Sequence, residues 1–271
     1  MHRVLVLRAA LAAAVLAGCK SVETTQPGTV GVSRQQTMLV SSQAVNQSAE
    51  NAYRKTLAQA QQKGQLNREA AQLARVRAIA GRLIPQTAVF RTDAPGWRWE
   101  VNVIGSQEIN AWCMPGGKIA VYTGLIEKLQ ATDEELAAVM GHEIGHALRE
   151  HGRERASQAM AQGLGISVAG ALLGVGGTGQ DLTQLVLDLT FNLPNSRTDE
   201  QEADRIGVEL AARAGYDPRA SLALWQKMQK ASGSQPPQFL STHPSHATRI
   251  ADLQNYSAKV LPLYESARAK H

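Results

Sequence analysis

The stretch GHEIGHALREHG, residues 141–152, sets two histidines four positions apart, with a glutamate directly after the first. On a helix, side chains four apart share one face, so His142 and His146 can turn both imidazoles to a single ion. Glu143 stands about 100° round the axis from His142. It is beside that ion rather than on it, where a carboxylate can take a proton from a polarised water. The His-Glu-x-x-His pattern thus encodes two metal ligands and a general base. Leu136, Val139, Met140, Ile144, Ala147 and Leu148 are interleaved with these residues, which predicts a buried helix. Burying imidazoles and a carboxylate without partners costs roughly 2–7 kcal/mol per group, and ligation of a metal removes that cost.

Thr132 and Glu135 form a capping-box pair, so the helix is expected to open at Thr132. It should run to Glu150 or His151 and stop at Gly152. Zinc in a catalytic site takes a third protein ligand and keeps one position open. His151 does not suit. Five residues past His146, it points about 140° away, and it is expected to face solvent near the helix end. SRTDEQEADRIG, residues 196–207, is the better source. On a second predicted helix, Glu200 completes a His2Glu set, and Asp204, one turn on, accepts the N–H of a ligand histidine. Glu202 lies off that face and ranks well behind Glu200.

Around this pair of helices the 271 residues are 44% apolar and 19% charged, enough for one domain with an arm. Abundant Ala and Leu with 4% aromatics favour a mostly helical interior. One or two helices are expected within 46–83, broken near Lys63 and Gly64, and others at 181–191, 196–214, 218–231 and 244–256. Apolar alternations at 97–104, 108–113 and 118–123, punctuated by Gly105 and Pro115-Gly116-Gly117, predict a three-stranded sheet. The fold class is α+β, mainly helical, with a small antiparallel or mixed sheet. The uncharged stretch 156–180, with seven glycines, reads as a buried or mobile hairpin over the site rather than a membrane span.

The start, MHRVLVLRAALAAAVLAGCK, has a basic front, an apolar stretch and a small-residue end, the layout of a secretory signal. Leu16-Ala17-Gly18-Cys19 resembles the bacterial lipobox, whose cysteine is acylated. The expected organisation is a signal peptide over 1–18, a lipid-anchored tether over 19–45 and a domain over 46–271. Lys20, rather than an aspartate, after the cysteine favours the outer membrane, by analogy with enterobacterial sorting. Cys113 is the remaining cysteine, so no intrachain disulfide is expected. Losing Arg3 and Arg8 leaves 26 basic against 23 acidic residues, a net +3, too mild and scattered for nucleic acid.

His142-Glu143-x-x-His146, followed by Glu200-x-x-x-Asp204, resembles the gluzincin family of HtpX, the CAAX prenyl protease and Oma. Within it, the chain looks most like the periplasmic BepA-like and LoiP-like proteases. NAWCMPGGKIAVYTGL, the His-Glu helix, SRTDEQEADRIG and STHPSHATRI occur in the family's order, between about residues 70 and 256. No repeat array follows, so no large docking module is expected. The resemblance implies a zincin-type catalytic domain holding one zinc. It implies that Asn110, Ala111 and Trp112 belong to an edge strand that pairs with substrate backbone. His243 matches a histidine that can reach the zinc as a fourth ligand and hold the enzyme inactive; it could otherwise stabilise an oxyanion. Arg249 braces this loop, contacts the oxyanion or makes a structural salt bridge, and His246 is expected at the surface.

The resulting expectation is a zinc endopeptidase anchored to the outer membrane and facing the periplasm. Its substrates would be misfolded or misassembled envelope proteins, and the outer-membrane assembly machinery is a candidate partner. The alternative is a non-proteolytic chaperone or assembly factor with a latent or structural zinc site. Glu143 argues for the enzyme, because a structural site needs no base.

Overall fold

In chain order, the computed structural model describes residues 20–162, 178–232, 236–244 and 247–269. A strand pair, β1 (Lys20–Val22) and β2 (Gln36–Met38), precedes helices α1 (Ser42–Gln62) and α2 (Ala70–Leu83). Strands β3 (Glu100–Ile104), β4 (Ala111–Met114) and β5 (Lys118–Tyr122) follow, then α3 (Thr123–Lys128), α4 (Asp133–Leu148) and α5 (His151–Ala161). The remaining helices are α6 (Thr178–Phe191), α7 (Arg197–Arg213), α8 (Ala220–Lys230), α9 (Gln238–Thr242) and α10 (Ala247–Arg268). The mainly helical α+β class is as expected, and the sheet is mixed. Its order is β3-β5-β4, with β3 parallel and β4 antiparallel to β5. Among the described strands, that order leaves β4 on an edge.

The capping box at the head of α4 is present: the Thr132 hydroxyl accepts the Glu135 N–H, and the Glu135 carboxylate accepts the Thr132 N–H. A second box, Ser196 with Asp199, opens α7. Every residue of α4 from Glu135 onward is buried. Its main partner is α7, and the two backbones nearly touch. A Cβ on Gly145 would meet the Ala203 carbonyl at 2.9 Å, and one on Gly207 would meet the His142 nitrogen at 2.7 Å. Gly141 faces the Gly207 carbonyl in the same way. Three glycines and an alanine therefore let the His-Glu helix lie directly on the helix carrying Glu200.

Two expectations are corrected. The helix does not run to Gly152. It ends at Leu148, with Arg149 as its C-cap, and Glu150 takes the left-handed conformation at φ 52° and ψ 36°. A left-handed residue just past the cap stops a helix. Here a glutamate fills that place, held by ion pairs to Arg91 at 2.6 Å and Arg153 at 2.8 Å. The chain restarts as α5, which resets the phase of His151.

Residues 20–45, read from their composition as a tether, instead pack on the domain, with α1 already under way at Ser42 behind the Ser41 cap. Val30, Val32, Gln36, Met38 and Val40 are buried, whereas Gly31, Ser33, Gln35 and Thr37 are exposed. Such a two-residue period is that of an extended strap with one face inward. Cys19, the expected signal peptide, His246 and most of the Gly-rich stretch read as a hairpin lie outside the described residues; within 156–180, 156–161 continue α5 and Thr178 opens α6. Among the described residues, no helix is long and apolar enough to cross a membrane.

Gly207→Ala should destabilise the protein by about 1–3 kcal/mol, the usual range for forcing an extra methyl into a packed contact. Chemical denaturation would measure this. The same variant should lose metal affinity, because the two ligand-bearing helices must separate.

Candidate metal centre

Helix α4 presents His142, Glu143 and His146 on its buried side, and α7 presents Glu200 and Asp204 across the close crossing. Hydrogen-bond partners fix the tautomers. His142 Nδ1 lies 2.8 Å from Asp204 Oδ1. A carboxylate only accepts, so Nδ1 donates. Burial pushes the His142 imidazole down to about 3, against the pull of Asp204. At neutral pH the ring is therefore uncharged and Nε2 is a bare lone pair.

The same logic runs through a second chain. His151 Nε2 donates to Glu202 Oε2 at 3.0 Å, and burial lowers the His151 imidazole. With that ring neutral, its Nδ1 accepts from His146 Nδ1 at 2.9 Å. In the neutral ring this leaves His146 Nε2 bare as well. The two Nε2 atoms face each other at 3.0 Å. Glu200 closes the group, with Oε1 3.3 Å from His146 Nε2 and Oε2 3.6 Å from His142 Nε2.

Two lone pairs and a carboxylate at this spacing repel unless a cation lies among them. Both nitrogens have given their protons away from the centre, so no hydrogen bond between them relieves the repulsion. The residues fit the nitrogen and oxygen ligand set of zinc. With His243 included, one ligand atom from each of four residues lies within 4.8 Å of the others. Burial works against ionisation of Glu200, but its contact with the His243 ring and the charge of Arg249 hold its carboxyl well below the usual carboxylate range.

Glu143 is buried beside this group. Its carboxylate accepts the Cys113 backbone N–H, and its Oε1 has no hydrogen-bond partner among the described residues. Burial pushes the carboxyl up to about 8, opposed by His146 and reinforced by Glu200. That places it where a carboxyl exchanges a proton near neutral pH.

His243 sits inside the ligand set. Its Nδ1 is 2.8 Å from Glu200 Oε1 and 3.2 Å from His142 Nε2, and its Nε2 is 3.4 Å from Glu143 Oε1. Phe239 stacks on its ring, with centroids 4.3 Å apart. Arg249 is fully buried, ion-paired to both Asp204 and Glu200, and lies 4.0 Å over the Trp225 ring. It also donates to the His243 and Pro244 carbonyls at 3.4 and 3.3 Å.

Asn110 precedes β4, and Ala111 and Trp112 lie within it, on the strand whose only described partner is β5. Trp112 is buried, with Tyr53 and Phe191 edge-on at 5.8 and 5.6 Å. The cleft beside Glu143, His146 and His243 is walled by Trp112 and Cys113 on one side and by Val186, Leu189 and Thr190 of α6 on the other.

His151 corrects the expectation that it faces solvent: it is 1% exposed and orients His146. The helical phase used to place it does not survive the break at Glu150. Glu202, discounted for its phase, reaches the site through His151 rather than through the metal. Arg149 supports it, with Nε 2.9 Å from Glu202 Oε2. The polar Arg149, Glu150 and His151 directly after an apolar helix were the available signal.

The profile of peptidase family M48 matches residues 69–257, and the chain belongs to that family. It is 36% identical over 189 residues to the mitochondrial metalloendopeptidase OMA1 of Bos taurus, an alignment covering 64% of this chain and 36% of that protein. It is 37% identical over 176 residues to the mitochondrial metalloendopeptidase OMA1 of Arabidopsis thaliana, covering 64% and 35%. With the β-barrel assembly-enhancing protease of Escherichia coli, the identity is 31% over 171 residues, covering 59% and 35%. The chain therefore spans about a third of the length of these curated relatives. The family's metal is zinc, which His142, His146, Glu200 and His243 are able to hold.

Asp204→Asn keeps the shape beside His142 but removes the charge that makes Nε2 a stronger donor. Zinc affinity, measured against a competing chelator, should fall about 10- to 100-fold.

Proposed function

We propose that this chain is a zinc-dependent endopeptidase of the bacterial cell envelope that hydrolyses peptide bonds in misfolded or misassembled envelope proteins. The observation that carries the reading is Glu143, buried with an Oε1 that accepts no hydrogen bond among the described residues, beside two converging imidazoles and the Glu200 carboxylate. A purely structural metal site has no use for that carboxylate.

Zinc held by His142, His146 and Glu200 supplies Lewis acidity toward water and the scissile carbonyl. Glu143 takes a proton at Oε1 from the attacking water and passes it to the leaving amine. Asp204 and His151 keep the ligand imidazoles turned inward. An extended peptide adds to the free edge of β4 by main-chain pairing, which tolerates varied sequence. In the conformation described, His243 occupies the ligand set and contacts Glu143, which supports a self-inhibited resting state that opens when the loop withdraws.

The leader and Cys19 support a lipid anchor in the outer membrane with the domain facing the periplasm. Similarity to a protease named for β-barrel assembly supports envelope substrates and the assembly machinery as a partner.

Proteolysis of unfolded casein by the full chain tests the chemistry. Glu143→Gln should retain zinc and lose cleavage; full activity in that variant sinks the mechanism. In the same assay His243→Ala should raise the rate. A fall of about 10²–10³-fold would instead make His243 an oxyanion donor. Location has its own test: Cys19→Ser should abolish lipid labelling and release the protein from the outer-membrane fraction, since several acyl chains together anchor firmly. A variant that still sediments with membranes would refute the lipid anchor.

A further inference from the structure

Two buried carboxylates, Asp199 and Glu202, lie beside His151, and a third, Glu154, is buried close by on α5. Arg149 faces them from the end of α4. A second guanidinium comes from the strap, outside residues 69–257 that match the family. Arg34 Nη1 and Nη2 grip both oxygens of Glu154 at 2.7 and 2.8 Å. Its Nε and Nη2 reach both oxygens of Glu202 at 2.8 and 3.2 Å, and Nη2 is 3.5 Å from Asp199. One planar fork thus spans two helices, α5 and α7.

The strap is locked in place on both sides of Arg34. Gln36 donates to the Arg149 carbonyl at 2.8 Å and to Glu154 at 2.6 Å. Arg149 donates back to the Arg34 carbonyl at 2.8 Å and to the Thr25 hydroxyl at 3.2 Å. Further up, the Val30 N–H donates to the buried Glu209 at 3.0 Å. Gly28, at φ +60°, fits where a Cβ would meet Phe90 at 2.5 Å and Glu209 at 2.7 Å. Val30 and Val32 join the main apolar core. The strap's position relative to the metal helices is therefore set independently of Arg34.

We infer that Arg34 is a positioning residue of the metal centre, acting through Glu202 and His151 to hold His146 with Nε2 turned to the ion. The inference rests on the reading of His142, His146 and Glu200 as the zinc ligands. Glu202 accepts from Arg34, Arg149 and His151 together. Without Arg34, its carboxylate is left to Arg149 and is free to turn away from His151 Nε2. The His151 ring then no longer has a fixed acceptor, and His146 Nδ1 loses the partner that orients it. An ammonium at this position cannot span two carboxylates as a guanidinium does. By this account Arg34 is the strap residue that belongs to the site, and the apolar strap residues only anchor it.

The test is zinc affinity of the full chain against a chromophoric chelator, with the visible spectrum of the cobalt-loaded protein as a second readout. Arg34→Ala should weaken zinc binding about 10- to 100-fold, as for other groups that orient a ligand histidine, and should shift the cobalt bands. Arg34→Lys should fall between it and wild type. Val32→Ala loosens the strap through its apolar anchor alone, so it should lower the melting temperature and leave both metal readouts unchanged. In a Glu202→Gln background, Arg34→Ala should cause no further loss, since the two act in series. Unchanged zinc affinity in Arg34→Ala overturns the proposal, as does full additivity with Glu202→Gln. Should Arg34→Ala fail to fold, the cycle runs with Arg34→Lys, whose loss must likewise vanish in the Glu202→Gln background. Wild-type protein that binds no zinc would refute the ligand assignment itself, a result distinct from either of these.

Discussion

Where α4 crosses α7, Gly141 and Gly145 lie against Ala203 and Gly207 with no side chain between the backbones. Each Cβ omitted there shortens the distance between His142, His146 and Glu200. With larger residues at those places the helices would stand at an ordinary interaxial distance of 8–10 Å or so, and the ligand atoms would not converge. The crossing also sets the depth of the site, because residues at the contact of two buried helices have no water to solvate them. Capping boxes at Thr132 and Ser196 start both helices at defined points, so the register of the crossing follows from local chemistry as well as from packing.

Depth explains the number of polar groups around the ligands. Burial alone drives His142 toward the neutral form and the carboxyls toward protonation. The first effect serves ligation and the second opposes it. Asp204 and Arg249 on one side, and Glu202, Arg149 and Arg34 on the other, restore the balance. Burial pushes the Glu202 carboxyl up, but hydrogen bonds from His151 and Arg34 with the charge of Arg149 bring it down to about 2. A carboxylate held that far below its ordinary range stays ionised, and so remains an acceptor, at neutral pH. Among the described residues no guanidinium is hydrogen-bonded to Glu143, and burial raises its carboxyl instead. Two classes of buried carboxyl thus share one site, one kept charged to orient ligands and one left able to exchange a proton.

The break at Glu150 has an effect out of proportion to its size. A single left-handed residue ends α4, frees the Arg149 side chain to face the strap, and lets α5 begin with His151 pointing back at His146. The strap then fills the space that the bend opens. Its alternating face places Val30 and Val32 in the core and Arg34 and Gln36 against the polar network.

Read alone, the amino-acid sequence determined the two ligand helices, the roles open to His142, Glu143, His146, Glu200 and Asp204, and the three strands of the sheet. Those features depend on spacing within one element, where helical and strand periods convert positions directly into faces. Tertiary structure decided the rest. Glu202 lies off the ligand face of its helix, so only the position of His151 on another element gives it a role. His151 itself was misplaced because a helical phase was carried through a break whose residue, a glutamate, is not a usual stop. The strap was hidden because Val30, Val32, Met38 and Val40 are diluted among glycine, serine, threonine and glutamine. A two-residue period buries such a segment only when a groove is there to receive it. That groove exists only after α4, α5 and α7 have packed, which no local pattern in residues 20–45 could encode.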